Sequence, residues 1–224
     1  MQNIRQILPL YFIAGTQDCR HLSGDPAQHL LSILEQALQS GVTCFQFRDK
    51  GKFSLVGQPE KQKELAIKCR DLCNKYNVPF IIDDNVDLAL EINADGVHVG
   101  QSDMSALEIR KKTDKPIIVG LSVNKMTEAL ASNDLEAIDY FGIGPIFPTQ
   151  SKEDPKPVVG IDFIKTLREA GITKPLVAIG GVKADSVEQL RKNGADGVAV
   201  ITAITYSENI PQTVKALLRG HHEE

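Results

Sequence analysis

Residues 80–103 read FIIDDNVDLALEINADGVHVGQSD, in which two short apolar runs flank a segment of helical length. The runs, Phe80–Asp83 and Gly96–Gly100, are continuous rather than alternating, which is typical of parallel strands covered on both faces. Further carboxylates follow them, Asp84 after the first run and Asp103 after the second. Because neighbouring parallel strands end at one edge of a sheet, the stretch predicts acidic oxygens gathered at one rim. Such oxygens suit a hard divalent cation such as Mg²⁺.

The same pattern recurs along the chain and predicts eight strands. They are Leu10–Gly15, Cys44–Asp49, Phe80–Asp83, Gly96–Gly100, Ile117–Ser122, Tyr140–Phe147, Leu176–Gly180 and Gly197–Ile201. The gaps carry apolar residues at three- and four-residue steps, which predicts helices. The first begins at Pro26 with Asp25 as its N-cap, and the others are Glu60–Tyr76, Val86–Ile92, Ser105–Lys112, Lys125–Ala131, Ile161–Ala170, Ser186–Asn193 and Pro211–Arg219. Eight alternating units without a composition break predict a single (β/α)8 TIM barrel over residues 1–224, with 220–224 as a frayed tail.

Composition narrows the class of partner. The net charge of −4 gives no basic field that would attract nucleic acid, so any anion site must be built locally. No apolar run approaches the length of a membrane span and the N-terminus lacks a signal peptide, so we expect no membrane partner and a cytoplasmic location. The spacing of Cys19, Cys44, Cys69 and Cys73 predicts packing thiols rather than a zinc site. The oligomeric state is left open, with a homo-oligomer among the alternatives.

In a barrel of this kind, chemistry lies at the carboxyl ends of the strands. The second strand ends Gln46-Phe47-Arg48-Asp49-Lys50, and strand alternation puts Gln46, Arg48 and Lys50 on one face. Two cations and an amide donor that point the same way would clamp a di- or triphosphate. A solvated strand end with Asp49 as counter-charge explains the spacing equally well.

The acidic tips of strands three and four also have two interpretations. Asp84 or Asn85 would serve as the N-cap of the helix at Val86, and Ser102 or Asp103 as the cap of the next helix. Taken singly, capping explains each residue. Their position on adjacent strands beside a basic strand instead favours a metal–phosphate site.

The remaining tips offer neutral donors and a lysine. Strand five ends at Ser122, and strand six leads into Thr149, Gln150, Ser151 and Lys152. Strands seven and eight lead into Gly181 and into Ile201 and Thr202, and the loops after these two strands form the usual phosphate cradle of such barrels. A tight turn explains the glycines as well. Together the tips predict a diphosphate site with Mg²⁺ and a separate monophosphate site on one rim.

Nucleophilic catalysis is not indicated, because no Ser-His-Asp arrangement is present and no cysteine has a histidine nearby in sequence. His98 lies inside strand four, so we expect a buried, hydrogen-bonded histidine rather than a catalytic base.

The ordered set of motifs resembles the thiamine phosphate synthase family over nearly the full chain. The motifs are Gln-Phe-Arg-x-Lys at 46–50, the Asp84 tip, His-Val-Gly-Gln-x-Asp at 98–103, Gly-Pro-Ile-Phe-Pro-Thr-x-Ser-Lys at 144–152, Ala-Ile-Gly-Gly at 178–181 and Val-Ile-Thr-Ala-Ile at 200–204. The resemblance implies a transferase on a (β/α)8 barrel. It would join a hydroxymethylpyrimidine diphosphate to a thiazole phosphate, or its carboxylated form, and release diphosphate.

The resemblance also implies roles for individual residues. The pyrimidine diphosphate would be held by Gln46, Phe47, Arg48, Asp49, Lys50, Asp83, Ser122 and Lys152, of which Arg48, Lys50, Ser122 and Lys152 would act in catalysis. The thiazole phosphate would be held by Thr149, Gln150, Ser151, Gly181, Ile201 and Thr202. Asp84 and Asp103 would bind one Mg²⁺ per subunit.

Three positions depart from the commonest family pattern. Ser151 stands where threonine is usual and Thr202 where serine is usual, so both keep a hydroxyl. Asp83 stands where asparagine is usual, which puts an anion beside a diphosphate. Our hypothesis is that Asp83 turns toward the metal or pairs with a nearby cation.

Three other functions compete with this interpretation. A thiazole tautomerase of the same family would lack Gln46, Asp84 and Asp103, which this chain has. A sugar-phosphate isomerase or epimerase would need an acid–base pair and would have no use for the basic tip of strand two. A catalytically inactive barrel with a binding role is favoured only by Asp83.

Overall fold

The computed structural model describes residues 3–221 as a closed barrel of parallel strands, each hydrogen-bonded to the next and the last to the first. The strands are β1 (Leu10–Ala14), β2 (Cys44–Phe47), β3 (Phe80–Asp83), β4 (Gly96–Val99), β5 (Ile118–Val123), β6 (Tyr140–Ile143), β7 (Leu176–Ile179) and β8 (Gly197–Val200). The predicted (β/α)8 barrel is therefore confirmed, and all eight predicted strands are present.

One short helix precedes the first strand, and the other helices follow strands and pack around the barrel. They are α1 (Ile4–Ile7), α2 (Pro26–Ser40), α3 (Pro59–Lys75), α4 (Val86–Glu91), α5 (Ala106–Lys112), α6 (Met126–Ser132), α7 (Asp162–Glu169), α8 (Val187–Lys192), α9 (Thr202–Thr205) and α10 (Ile210–Leu217). The predicted start of α2 is confirmed, because Pro26 is its first residue and the Asp25 carboxylate accepts a hydrogen bond from the Ala27 amide. The sequence did not predict α1, α9 or the 3-10 turns Thr16–Cys19 and Ala184–Ser186, which are too short to show a helical repeat.

Several strands end earlier than predicted, and the differences matter for the rim. β2 stops at Phe47, so Arg48 and Lys50 follow its last residue, and the Arg48 amide still donates to the Ala14 carbonyl of β1 at 3.0 Å. β6 stops at Ile143 instead of Phe147, because Pro145 has no amide hydrogen with which to continue a ladder. Of the predicted tail, residues 222–224 lie outside the described residues.

The barrel has an inner and an outer core, as strand alternation requires. The outer core fills the space between strands and helices, and Phe45, Phe47 and Phe80 belong to it. The inner core is a smaller cluster that includes Tyr11, Cys44, Ile81, Tyr140 and Val177. The barrel is thus filled with side chains, which leaves its carboxyl-end rim for chemistry.

Four polar side chains close the opposite end of the barrel. Each precedes an even-numbered strand and accepts a hydrogen bond from the first or second amide of the strand before it, at 2.7–2.9 Å. They are Thr43, Asp95, Asp139 and Asp196. These aspartates lie at the end far from the cleft and are not candidates for catalysis.

All four cysteines are buried free thiols, as the packing interpretation predicted. Burial raises the pKa of Cys19 to about 12, with the Asp18 charge as a further cause, so its thiol is a poor nucleophile. Among the helices within residues 3–221, none combines the length and the apolar character that crossing a membrane requires.

Candidate active site

A cleft of about 1680 Å³ opens at the carboxyl-end rim of the barrel. Its walls come from the tip of β2, the loop after β6 and the segments that follow β7 and β8. Predicted site residues on these walls are Arg48, Lys50, Thr149, Gln150, Ser151, Lys152, Gly181 and Thr202. The structure therefore brings together residues that are distant in the chain: Arg48 and Thr202, for example, are 154 positions apart.

The tip of β2 alternates as predicted. The Gln46 side chain points into the barrel, where its amide nitrogen donates to the Tyr11 hydroxyl at 2.9 Å. Phe47 faces the other way and packs in the outer core. Arg48 and Lys50 follow on the inner side and reach the cleft.

Asp49 stabilises the tip of β2 through hydrogen bonds on the side away from the cleft. One carboxylate oxygen accepts from the Thr16 amide at 2.7 Å and from its hydroxyl at 2.5 Å, and the other accepts from Leu55 and Gln62 at 2.9 Å. The structure thus assigns Asp49 to holding the tip, and Phe47 to packing. Strand alternation points both side chains away from the cleft, so we do not carry them into the proposed site.

Asp83 lies between the two cations of the tip. Its carboxylate oxygen is 3.9 Å from Arg48 Nε and 3.4 Å from Lys50 Nζ, and the Asp83 and Arg48 side chains are only 10% and 9% exposed. Of the two alternatives in our hypothesis, the structure shows the pairing with nearby cations. Lys50 Nζ also contacts Asp84 Oδ2 at 2.9 Å. Burial lowers the pKa of Lys50, but the Asp83 and Asp84 charges outweigh it and the pKa is raised, so Lys50 is a stable cation.

Lys152 adds a third cation above this pair. Its pKa is lowered, first by burial and then by the Arg48 charge, with Asp83 and Asp84 opposing the shift. A buried ammonium beside a guanidinium is unfavourable unless an anion joins them. Three cations, Lys50, Arg48 and Lys152, stand against two carboxylates, Asp83 and Asp84, which leaves a net positive charge and gives the site the electrostatic character of an anion-binding pocket.

Helix capping does not explain the two rim carboxylates. The N-cap of α4 is Asn85, whose side chain accepts from the Leu88 amide, and the N-cap of α5 is Ser105, which accepts from the Glu108 amide. Asp84 instead adopts a left-handed conformation with φ of 59°, and its amide donates to the His98 carbonyl at 2.8 Å. Asp103 closes its own loop by accepting from the Gly100 amide at 2.7 Å.

The chemistry of these carboxylates fits Mg²⁺. Each uses one oxygen within the protein, Asp84 toward Lys50 and Asp103 toward Gly100, and within residues 3–221 no group bonds the other oxygen. The described part of the chain contains no cluster of three or more His, Cys, Asp or Glu side chains that could hold a metal. Mg²⁺ usually takes one or two carboxylates and completes its octahedron with water and substrate phosphate oxygens. Asp84 beside Lys50, together with Asp103 after the neighbouring strand β4, is therefore a suitable pair of ligands.

The far side of the cleft carries the hydroxyls and glycines predicted for a monophosphate. The Thr149 hydroxyl accepts from the Ser151 amide at 3.3 Å, and Arg48 Nη1 donates to the Ser151 carbonyl at 3.5 Å, which connects the two halves of the site. Gly180 and Gly181 have φ of 100° and 67°, and a Cβ on Gly181 would lie 2.8 Å from Phe147 Cβ. The turn itself therefore requires both glycines. The Ile201 side chain packs into the inner core.

His98 is buried and hydrogen-bonded, as predicted. Its Nε2 lies 2.8 Å from the Ser122 hydroxyl and its Nδ1 lies 3.0 Å from the Tyr140 hydroxyl. Burial, and then the Lys152 charge, lower the pKa of His98 to about 3. The imidazole is therefore neutral, and it connects the predicted site residue Ser122 to the interior of the barrel.

Gln17, Asp18 and Lys183 are among the cleft residues that the sequence analysis did not predict. Gln17 and Asp18 follow β1, and the Gln17 amide donates to the Arg48 carbonyl at 2.5 Å. Burial raises the pKa of Asp18 to about 6, against the effect of its hydrogen bond from Gly15. Lys183 follows β7 and is exposed. The polar run after the first strand was the available signal for Gln17 and Asp18.

Comparisons with known proteins agree with this geometry. A family model described as thiamine monophosphate synthase matches residues 10–204. The thiamine-phosphate synthase of Haemophilus influenzae strain Rd is 67% identical over 223 residues, which cover 100% of this chain and 99% of that protein. The enzyme of the same name from Actinobacillus pleuropneumoniae serotype 7 is 62% identical over 97% of this chain and 100% of its own length. A solved structure of thiamine phosphate pyrophosphorylase from Pyrococcus furiosus superimposes with a TM-score of 0.79 at 31% identity, covering 96% of each chain.

Proposed function

The chain belongs to the thiamine monophosphate synthase family, and we propose that it joins a hydroxymethylpyrimidine diphosphate to a thiazole phosphate, forming thiamine phosphate and diphosphate. One observation carries the assignment of the site. Three cations, Arg48, Lys50 and Lys152, line the cleft, and Lys50 contacts Asp84, a carboxylate that does not cap a helix, at 2.9 Å. That combination suits a diphosphate that leaves with Mg²⁺.

The cations are proposed to stabilise the departing diphosphate. The amino group of the pyrimidine donates electrons into the ring, so the exocyclic CH2 can carry positive charge as the C–O bond breaks. Negative charge then builds on the leaving oxygens, and preorganised donors stabilise it most where water is scarce. Arg48 and Lys152 are both mostly buried, which supports this role, and Lys50 and the Ser122 hydroxyl add donors at the edge.

Asp84 and Asp103 are the residues proposed to hold one Mg²⁺ per subunit. When bound, the ion supplies positive charge that neutralises diphosphate oxygens. The Lys50 ammonium, which contacts Asp84 at 2.9 Å, would then turn from the carboxylate to the diphosphate.

The second substrate is proposed to lie across the cleft, with its phosphate at Thr149, Gln150, Ser151, Gly181, Thr202 and the backbone at Ile201. Four of these side chains line the cleft together with Gly181. Holding the thiazole nitrogen in line with the CH2 converts a bimolecular reaction into a positioned one. No protein nucleophile is needed, so the high pKa of Cys19 is no obstacle. We place this activity in the cytoplasm.

A product assay tests the proposed function directly. The purified protein is incubated with Mg²⁺, the pyrimidine diphosphate and the thiazole phosphate, and thiamine phosphate and diphosphate are quantified by chromatography. We expect equal amounts of both products. Folded protein that yields neither would reject the synthase, whereas conversion of a thiazole tautomer without diphosphate release would favour the tautomerase.

Asp83 gives a separate prediction. Its carboxylate holds Arg48 Nε and Lys50 Nζ at 3.9 and 3.4 Å in a nearly buried site, so Asp83→Asn should let both cations reorient. We expect kcat/KM for the pyrimidine diphosphate to fall about tenfold, which corresponds to about 1.4 kcal/mol. Asp71→Asn, at a mostly exposed aspartate paired with Arg70, is the matched control. Turnover equal to or above that of the wild type would show that Asp83 has no active role.

A further inference from the structure

A continuous chain of hydrogen bonds crosses the interior of the barrel between two predicted site residues. Gln46 Nε2 contacts the Tyr11 hydroxyl at 2.9 Å, and the Tyr11 and Tyr140 hydroxyls are 2.6 Å apart. The chain continues from Tyr140 to His98 Nδ1 at 3.0 Å and from His98 Nε2 to the Ser122 hydroxyl at 2.8 Å. We call these five residues the barrel relay.

The backbone leaves room for this relay by placing glycines at inward positions. A Cβ on Gly120 would lie 2.2 Å from Tyr140 Cζ and 2.5 Å from His98 Nδ1, and a Cβ on Gly142 would lie 3.2 Å from His98 Cε1. Gly120 pairs with His98 across the strands, and the next inward residue of the same strand, Ser122, pairs with Gly142. Larger side chains at these glycines would displace the tyrosine or the imidazole.

The direction of the protons in the relay follows from counting donors. An amide nitrogen only donates, so the Tyr11 oxygen accepts from Gln46. Tyr11 also contacts the Cys44 thiol, but sulfur is a weak acceptor, so the single Tyr11 proton goes to the Tyr140 oxygen 2.6 Å away. The Tyr140 proton then goes to His98 Nδ1, which must accept. In a neutral imidazole the other nitrogen carries the hydrogen, so Nε2–H donates to Ser122. The Ser122 proton has no place left in the relay.

We infer that Tyr11, Tyr140 and His98 are positioning residues that direct the Ser122 hydroxyl proton out of the barrel interior, toward the carboxyl-end rim. A hydroxyl that accepts a hydrogen bond becomes a better donor, because successive hydrogen bonds polarise one another. Ser122 then donates to the leaving diphosphate without having to reorient. The inference rests on the proposed function, since it assumes that diphosphate departs beside Ser122.

The tautomer of His98 tests the relay without any substrate. Nitrogen-15 NMR of the full-length protein with labelled histidine distinguishes a protonated from an unprotonated ring nitrogen, and loss of one signal set in His98→Gln assigns it. We expect hydrogen on Nε2 and none on Nδ1. Hydrogen on Nδ1 would reverse the relay, because the Ser122 hydroxyl would then donate its proton to His98 Nε2 instead of directing it outward, and the inference would be overturned.

Two substitutions at His98 test the contributions of the two ring nitrogens separately. Glutamine places an amide near the Nε2 position and keeps a donor to Ser122, whereas asparagine places its amide near Nδ1 and loses that contact. We expect the kcat of His98→Gln to stay within about threefold of the wild type and the kcat of His98→Asn to fall about tenfold. The second loss is smaller than the hundredfold or more that removal of a donor to the leaving group costs, because the Ser122 hydroxyl itself is kept. Unchanged thermal melting would verify the fold of both.

A double-mutant cycle shows whether His98 acts through Ser122. In a Ser122→Ala background, His98→Asn should lower kcat less than twofold further, because the hydroxyl that it orients is gone. Equal losses for the two His98 variants, or losses that multiply with Ser122→Ala, would make the relay a purely structural feature. A wild-type enzyme that makes no thiamine phosphate would reject the proposed function, whereas the tautomer measurement would still report on the relay.

Discussion

Replacing Lys152 by methionine is expected to lower kcat by about a hundredfold to a thousandfold, the usual cost of removing one preorganised donor to a developing anion. The ammonium lies among Arg48, Lys50 and Asp83, and burial and the Arg48 charge lower its pKa. Such a cation is poorly stabilised in the free enzyme, and its interaction energy becomes most favourable when negative charge develops beside it in the transition state. The substitution should therefore act mainly on kcat rather than on the KM of the thiazole phosphate.

Two further variants make this result specific. Lys152→Arg keeps the charge and should retain substantially more activity than Lys152→Met. Lys156→Met changes an exposed lysine of the same loop that does not line the cleft, and turnover should stay within about twofold of the wild type. The proposed role of Lys152 would be contradicted if Lys152→Met and Lys156→Met had the same kcat. Rates are measured as diphosphate release at saturating substrates.

The barrel and the cation cluster could be predicted from the sequence because both follow local rules. Continuous apolar runs identify buried parallel strands, and the two-residue repeat of a strand puts Gln46, Arg48 and Lys50 on one side. The same repeat also points Phe47 and Asp49 away from the cleft. The family resemblance assigned all five residues of the motif at 46–50 to substrate binding and so did not separate Phe47 and Asp49 from the other three.

The roles of the acidic residues could not be decided from sequence, because they depend on which neighbour takes a given hydrogen bond. Asn85 and Ser105 cap the helices, which removes the simpler explanation of Asp84 and Asp103. Which cations Asp83 contacts depends on side chains 33 to 35 positions away in the chain, Lys50 and Arg48. A pattern of residue types contains no such distances.

The barrel relay was beyond sequence analysis for the same reason. Tyr11 and Tyr140 are 129 residues apart, and neither stands in a motif that indicates chemistry. Only closure of the sheet brings their hydroxyls together between Gln46 and Ser122. His98 alone was correctly expected to be a buried, hydrogen-bonded histidine, but its partners were not.

The Asp84→Asn substitution is expected to lower kcat/KM for the pyrimidine diphosphate by about a hundredfold or more at fixed Mg²⁺, since a bound metal supplies several kcal/mol of charge stabilisation. Asparagine tolerates a left-handed backbone, so the φ of 59° at this position should be kept and the loop preserved. In the wild type we expect EDTA to abolish turnover and added Mg²⁺ to restore it. Calorimetric titration of Mg²⁺ in the presence of inorganic diphosphate should show weaker binding by the variant.

The control for this experiment lies three residues along the chain. Asp87→Asn removes an exposed carboxylate of α4 that pairs with Lys112, and it should bind Mg²⁺ and turn over like the wild type. Asp103→Asn is less specific, because Asp103 also closes its loop through the Gly100 amide. Turnover that survives EDTA, or equal Mg²⁺ binding by Asp84→Asn and Asp87→Asn, would refute the metal assignment. The three cations would then have to stabilise the leaving diphosphate alone, and Asp84 would serve only to hold Lys50 in place.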